Sequence, residues 1–249
     1  MAKQFKVKKR QPIWSIFKPI FQFFKWRGIK VYCTDGKLPE KCILAANHSA
    51  KTGPMAYEIA MPITHYTWGA HEMLGNYKSR FKYLRDVFYI QKQNMSKFKA
   101  TLKAAFEAIF SIYIYKGMKI MGTYQDGRLK TTIKNSMSVL DANKAVMIFP
   151  EDSNKGYFDI MHHFFAGFIV LSEQYYKSRG EDLPIYPVYY NHKLKKIVVG
   201  KAYYLQELYK QGLNREQAAE FFKNEVNNLY YTYFEKDLKE TNKRKINKR

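Results

Sequence analysis

Short apolar runs alternate with helix-patterned stretches along most of this chain, and that alternation constrains its fold more than any other feature. Residues 41–46, 111–115, 146–149, 184–190 and 197–199 read as strands. Residues 54–61, 97–110, 129–140, 164–177 and 215–237 carry apolar positions at helical spacing. Strands interleaved with helices in this way predict an α/β fold: one domain, with a mostly parallel central sheet flanked by helices. No internal repeat divides the chain, and no linker rich in Gly, Pro or Ser does so.

Two strand ends carry polar residues suited to chemistry. The apolar run 42–46 leads through Asn47 to His48, and the run 145–148 breaks at Pro150 into Glu151, Asp152 and Ser153. In an α/β sheet the loops beyond the strand ends are where ligands and catalytic groups usually gather. A histidine and an acidic cluster at two such ends point to an enzyme built around one base. The other five histidines (His65, His71, His162, His163 and His192) form no ligand set with the cysteines and no HxxxH spacing, so no metal is expected.

The beginning of the chain has a different character. Residues 1–30 hold nine Lys or Arg and no acid; the first acidic residue is Asp35. Over 12–26 the polar residues Ser15, Lys18, Gln22 and Lys25 recur at spacings of 3, 4 and 3, one face of a helix, and Ile, Phe and Trp dominate the rest. Pro12 suits the first turn, and Pro19 is expected to kink the helix. A broad aromatic face with a basic stripe predicts a helix lying in a membrane interface. The organisation expected is therefore 1–30 as a membrane-interface segment, 31–235 as the α/β domain, and 236–249 as a basic, frayed tail.

Three blocks in order extend this reading. Asn47-His48, then Phe149-Pro150-Glu151, then Pro184-Ile185-Tyr186-Pro187-Val188 resemble the N-H-x-x-x-x-D, F-P-E-G-T-R and P-[IV]-x-P-V blocks of the glycerolipid acyltransferases, typified by 1-acyl-glycerol-3-phosphate acyltransferase. The likeness covers about residues 40–205. It implies that His48 deprotonates an acceptor hydroxyl, which attacks the thioester of acyl-CoA or acyl-carrier protein with no covalent enzyme intermediate. No further cofactor is implied. The acceptor would be a lysophospholipid or similar amphipathic alcohol on an anionic membrane, at the cytoplasmic face of the cell membrane.

The sequence departs from the blocks at two places. Gly53 stands where the family has the aspartate that orients the histidine, and Asn154 stands where it has the phosphate-binding arginine. Glu58, one turn into the helix opening at Pro54, is the first candidate to replace the aspartate, and Asp152 the second. Lys155 is a candidate for the lost arginine. For the family's other arginine Lys116, which ends the 111–115 strand, and Arg128, six residues after Gly122, compete; Lys116 is preferred because Gly127-Arg128 reads as a turn opening the next helix. The resemblance thus makes His48 and Glu58 catalytic, and lines the substrate site with Asn47, Gly53, Lys116, Arg128, Glu151, Asp152, Ser153 and Lys155.

Charge decides which other classes compete. With 43 Lys plus Arg against 21 Asp plus Glu, the net charge of +22 suits a polyanionic partner, either membrane or nucleic acid. No nucleic-acid motif supports the latter, and the basic start is too apolar to track phosphates. The same charge would attract an acidic acyl-carrier protein. Neither a signal peptide nor an 18-residue apolar span is evident, and Cys33 and Cys42 suit a reducing compartment. The alternative to an enzyme is a catalytically degenerate relative that binds lipid or acyl carrier without turnover.

Overall fold

The computed structural model describes residues 5, 7, 12–24, 26–49, 53–124, 126–153 and 156–239. In chain order the elements are α1 (Pro12–Phe24), β1 (Lys30–Cys33), β2 (Ile43–Ala46), α2 (Gly53–Ala60), β3 (His65–Ala70) and α3 (Tyr77–Lys82). After α3 the helix widens into a π-helical segment over Tyr83–Gln91. Then come α4 (Lys97–Gly117), β4 (Ile120–Thr123), α5 (Leu129–Asp141), β5 (Ala145–Ile148), α6 (Gly167–Arg179), β6 (Pro184–Asn191), β7 (Lys196–Val199), β8 (Tyr203–Tyr204), α7 (Leu205–Lys210) and α8 (Arg215–Tyr233). The chain is α/β, with one mostly parallel sheet between helices, as the alternation predicts.

The sheet runs β1-β7-β6-β2-β5-β3-β4, with β8 added on β6. Strands β6, β2, β5, β3 and β4 are mutually parallel; β7 turns antiparallel to β6, and β1 follows β7 in parallel. Buried on both faces, β2 and β5 are apolar throughout, as parallel strands must be. Their side chains alternate between two cores. Ile43, Ala45, Val146 and Ile148 join α5, α6 and α8 on one side, through residues such as Leu140, Phe168 and Phe222. Leu44, Ala46, Ala145 and Met147 meet Ala56 and Tyr57 of α2 on the other.

Proline is normally kept out of central strands because it cannot donate to the ladder. Pro187 is accommodated because it falls in a gap. β6 pairs β8 through 184–185 and β7 only from Val188 onward. Gly200 closes that gap, donating its N–H to the Pro187 carbonyl at 2.9 Å, and a Cβ there would meet Pro187 Cγ at 2.8 Å.

Two expectations need correction. Residues 111–115 are not a strand but the last turns of α4, which runs unbroken to Gly117. Five alternating residues are too few to outweigh the small buried stripe Ala100, Ala104, Ala108 and Ser111, at spacings of 4, 4 and 3, that seats α4 on the preceding helical segment. Strands β1, β3, β4 and β8, the helical stretch 77–91 and α7 add to the elements that the pattern predicts. The tail does not begin at 236: Leu238 is buried in the main core and continues the helical pattern through its bond to Phe234. Its remaining residues, 240–249, lie outside the described residues.

Helix α1 is attached by one side only. Trp14 is buried against Met55, Ile59 and Met118, and lies so close to Gly117 that a Cβ there would meet its ring at 2.3 Å. Lys18, on the same side, points inward to Glu58 at 3.8 Å. Ile16, Phe17, Ile20, Phe23 and Phe24 are exposed.

Candidate functional site

Parallel pairing of the two central strands assembles the site. The register pairs Ile43 with Val146 and Ala45 with Ile148; three residues further on, it sets His48 opposite Glu151. The two meet there: the His48 backbone N–H donates to Glu151 Oε1 at 3.0 Å. The residues expected from 45–48 and 148–153 are thus brought to one spot by a sheet neighbour relation.

Asn47 sets the angle at which His48 leaves the strand. Its side chain is buried and pairs like a strand peptide, donating Nδ2–H to the Tyr190 carbonyl at 3.1 Å and accepting the Tyr190 N–H on Oδ1 at 2.8 Å. The Tyr57 hydroxyl also donates to Oδ1, at 2.8 Å. These bonds take up the amide inside the protein, so Asn47 acts as a positioning residue. The His48 imidazole lies against two rings, stacked on Tyr157 at 4.6 Å and edge-on to Phe149 at 5.0 Å.

Gly53, at the position of the family aspartate, is a steric requirement. A Cβ built there would stand 1.9 Å from the His48 carbonyl oxygen. The turn from His48 into α2 is closed so tightly that no side chain fits without moving the backbone. Glu58, expected to reach His48, turns elsewhere. It lies five residues into α2 from Gly53, about 7.5 Å along the helix axis. Its Oε1 accepts Trp14 Nε1–H at 3.0 Å and lies 3.3 Å from Lys119 Nζ and 3.8 Å from Lys18 Nζ. This carboxylate ties α1 and β4 to α2.

Glu151 is in a different environment. Burial pushes its carboxyl up to about 7, while the His48 amide and the Lys92 ammonium pull the other way. Lys92 was not foreseen from the sequence. It follows the π-helical segment, donates Nζ–H to Ser153 Oγ at 2.6 Å, and sits over the Tyr157 ring at 5.8 Å. Burial lowers its pKa, against the opposing charges of Glu151 and Asp152. A π-helical stretch often marks a functional position. Its only trace in the sequence is a lysine among many.

The 150–153 loop is tied to the segment before α6. Phe165 N–H donates to the Pro150 carbonyl at 2.8 Å, Asp152 N–H donates to the His163 carbonyl at 3.1 Å, and Glu151 bridges Phe164. Asp152 itself is exposed. Ser153 reaches the site through Lys92. Lys155 and Asn154 lie outside the described residues.

Of the two candidates for the second arginine, Lys116 is exposed on the last turn of α4 rather than at a strand end. Arg128 is exposed just ahead of α5, forked onto Asp126 at 2.7–3.0 Å, and stacked over Tyr124 at 4.4 Å. That fork holds the Asp126 carboxyl down at about 2.

Beside His48 opens a cavity of about 70 Å³, bounded by Phe149, Pro54, the 67–70 stretch of β3, Tyr83, Tyr115, Met118 and Ile120. Its walls set aromatic and aliphatic side chains beside polar atoms. At this size it holds the reacting end of a chain, not a whole lipid, since drug-sized ligands need several hundred Å³. Burial raises the Tyr83 phenol to about 12, and Tyr115 is raised further, so both remain neutral donors. Among the described residues no three His, Cys, Asp or Glu converge in a metal-binding cluster. The chain matches no protein-family model and no curated protein, so what the site does is read from its own residues.

Proposed function

We propose that the protein is an acyltransferase that moves a fatty acyl group from acyl-CoA or acyl-carrier protein to the hydroxyl of a lysophospholipid or similar amphipathic acceptor at the membrane surface. One observation carries this reading. His48 lies just beyond the end of a central parallel strand, held through its backbone by Glu151, on the wall of a small cavity lined largely by aromatic side chains.

In this reading the His48 imidazole takes the acceptor's hydroxyl proton as the oxygen attacks the thioester carbonyl. The tetrahedral adduct then expels the thiolate, which receives that proton from the imidazolium. The first carbons of the acyl group occupy the cavity. The tyrosine hydroxyls of Tyr83 and Tyr115 are available as donors to a developing oxyanion. Lys92, in place of the family arginines, receives an anionic group of the acceptor or donor as a point charge. Helix α1 lies on an anionic membrane through its exposed Ile and Phe residues, at the cytoplasmic face of the cell membrane. No described helix is long and apolar enough to cross a bilayer.

The test is transfer from labelled acyl-CoA and acyl-carrier protein to a panel of lysolipids, with His48→Ala in parallel. Loss of transfer by about 10³-fold or more is expected in the variant, the scale of removing a general base. A second reading is favoured by Gly53, which leaves no room for the orienting aspartate. In that reading the chain binds lipid or acyl carrier without turnover. Equal inactivity of both proteins, with lipid binding intact, would select it.

A further inference from the structure

Helix α4 presents an apolar face on each side. One side, Ala100, Ala104, Ala108 and Ser111, is buried against Met73, Leu84 and Tyr89. On the opposite side Phe98, Leu102, Phe106, Ile109, Phe110 and Tyr113 recur at spacings of 4, 4, 3, 1 and 3, and every one is at least half exposed. A helix on the surface of a globular protein normally keeps its outward face polar. Six large side chains along about 22 Å of helix exceed the scatter of single exposed apolar residues.

We infer that this outer face of α4 is a second membrane-seating surface, lying in the interface of an anionic bilayer beside α1. Two features favour lipid. The first is continuity: α1 docks through Trp14 on Gly117, the last residue of α4, so two helices with bare apolar faces meet at one place. The second is charge. α4 carries Lys97, Lys99, Lys103 and Lys116 against a single acid, Glu107, which bonds with the Tyr89 hydroxyl. Lysines beside an apolar stripe extend their stems along it and set their ammonium groups among lipid phosphates. Two copies apposed through this face would bring like charges together, which disfavours a self-interface.

The surface also explains a path to the site. Tyr115 and Met118, at the C-terminal end of the same helix, line the cavity beside His48. A chain leaving the bilayer near the α1–α4 junction would reach that wall directly. This path rests on the acyltransferase reading; the lipid contact does not.

The test uses the full chain and vesicles of phosphatidylcholine and phosphatidylglycerol in equal parts. The double variant Phe106→Glu/Phe110→Glu removes side chains that are 68% and 52% exposed, so its unfolding midpoint should match the parent. Its vesicle partition should fall by about 10-fold or more, because two apolar anchors become anions facing anionic lipid. In Phe106→Trp, the added fluorescence should shift to the blue on vesicle binding and be quenched by brominated lipid. Undiminished partition, with no shift and no quenching at position 106, would overturn the inference. So would a parent dimer that the double variant dissociates while vesicle binding stays the same, since the face would then pair with a second copy. Acyl transfer enters neither readout, so its absence leaves this inference standing.

Discussion

Two partly or fully buried glutamates sit near the 48–53 turn, and they are furnished in opposite ways. Glu58 collects an indole N–H and two lysines on one carboxylate oxygen. Glu151 receives one backbone N–H, with Lys92 near enough to influence it but bonded to Ser153. Burying a carboxylate is costly unless charge and hydrogen bonds compensate it. Glu58 has that compensation and works as a clamp between α1, α2 and β4. Glu151 lacks most of it, and its carboxyl rises to about 7. Glu58 is close to His48 in the chain, which suggests a role beside it, but its carboxylate turns away. Proximity to His48 comes instead through the sheet, where Glu151 accepts its backbone N–H.

The contrast can be broken by mutation, and the largest effect should fall on the clamp. Glu58→Ala leaves Lys119 and the Trp14 indole without their acceptor, and should cost about 3 kcal/mol by the usual penalty for removing one partner of a buried pair. Urea unfolding measures this. A loss below the error of the midpoint would mean that the carboxylate is not a clamp.

The Glu151 side is sharpened by pH. Its folded pKa lies above its ordinary value of 4.5, so the folded state holds a proton that the unfolded chain releases. Stability is therefore full below about 4.5, falls as pH rises to about 7, and then levels off, by roughly 3 kcal/mol at most. Glu151→Gln, which keeps an acceptor for the His48 amide, should flatten that slope between the two pH values. An unchanged slope would show that another group titrates there.

Gly53→Ala tests the turn joining the two regions. The added Cβ must displace the His48 carbonyl, and in the proposed reaction a shift of about 1 Å at His48 should lower transfer on the order of 100-fold. Activity equal to the parent's would show that the turn relaxes without moving His48. The smallest effect is expected from Lys92→Met. Removing this point charge should raise the KM for an anionic acceptor about 10-fold, the weight of one charge-assisted contact. It should also raise the apparent pKa of Glu151, since Lys92 pulls it down. A fall in kcat with constant KM would reassign the lysine from binding to chemistry.

How far the site could be read in advance depended on whether its signal was local. His48 and Glu151 stand at ends of apolar runs, and such ends are visible as changes of pattern. Lys92 has no such frame: it follows the helical segment 83–91 rather than a strand, and no change of pattern marks it out from the other lysines. Helix α4 misled for the same reason in reverse. With apolar residues on both faces it lacks the one-sided stripe that marks an ordinary surface helix, and 111–115 then resembles a strand.

By itself, the sequence determined that the chain is α/β, that His48 and Glu151 stand just beyond strand ends, and that its start is basic and aromatic. These follow from residue type and period, which act over a few neighbours. Only the tertiary structure decided that β2 and β5 are adjacent in a register that faces His48 with Glu151, that Glu58 turns to Trp14 and Lys119, and that Gly53 has no room for a side chain. Strand order and side-chain direction depend on which distant surfaces bury one another, and no local pattern carries that information.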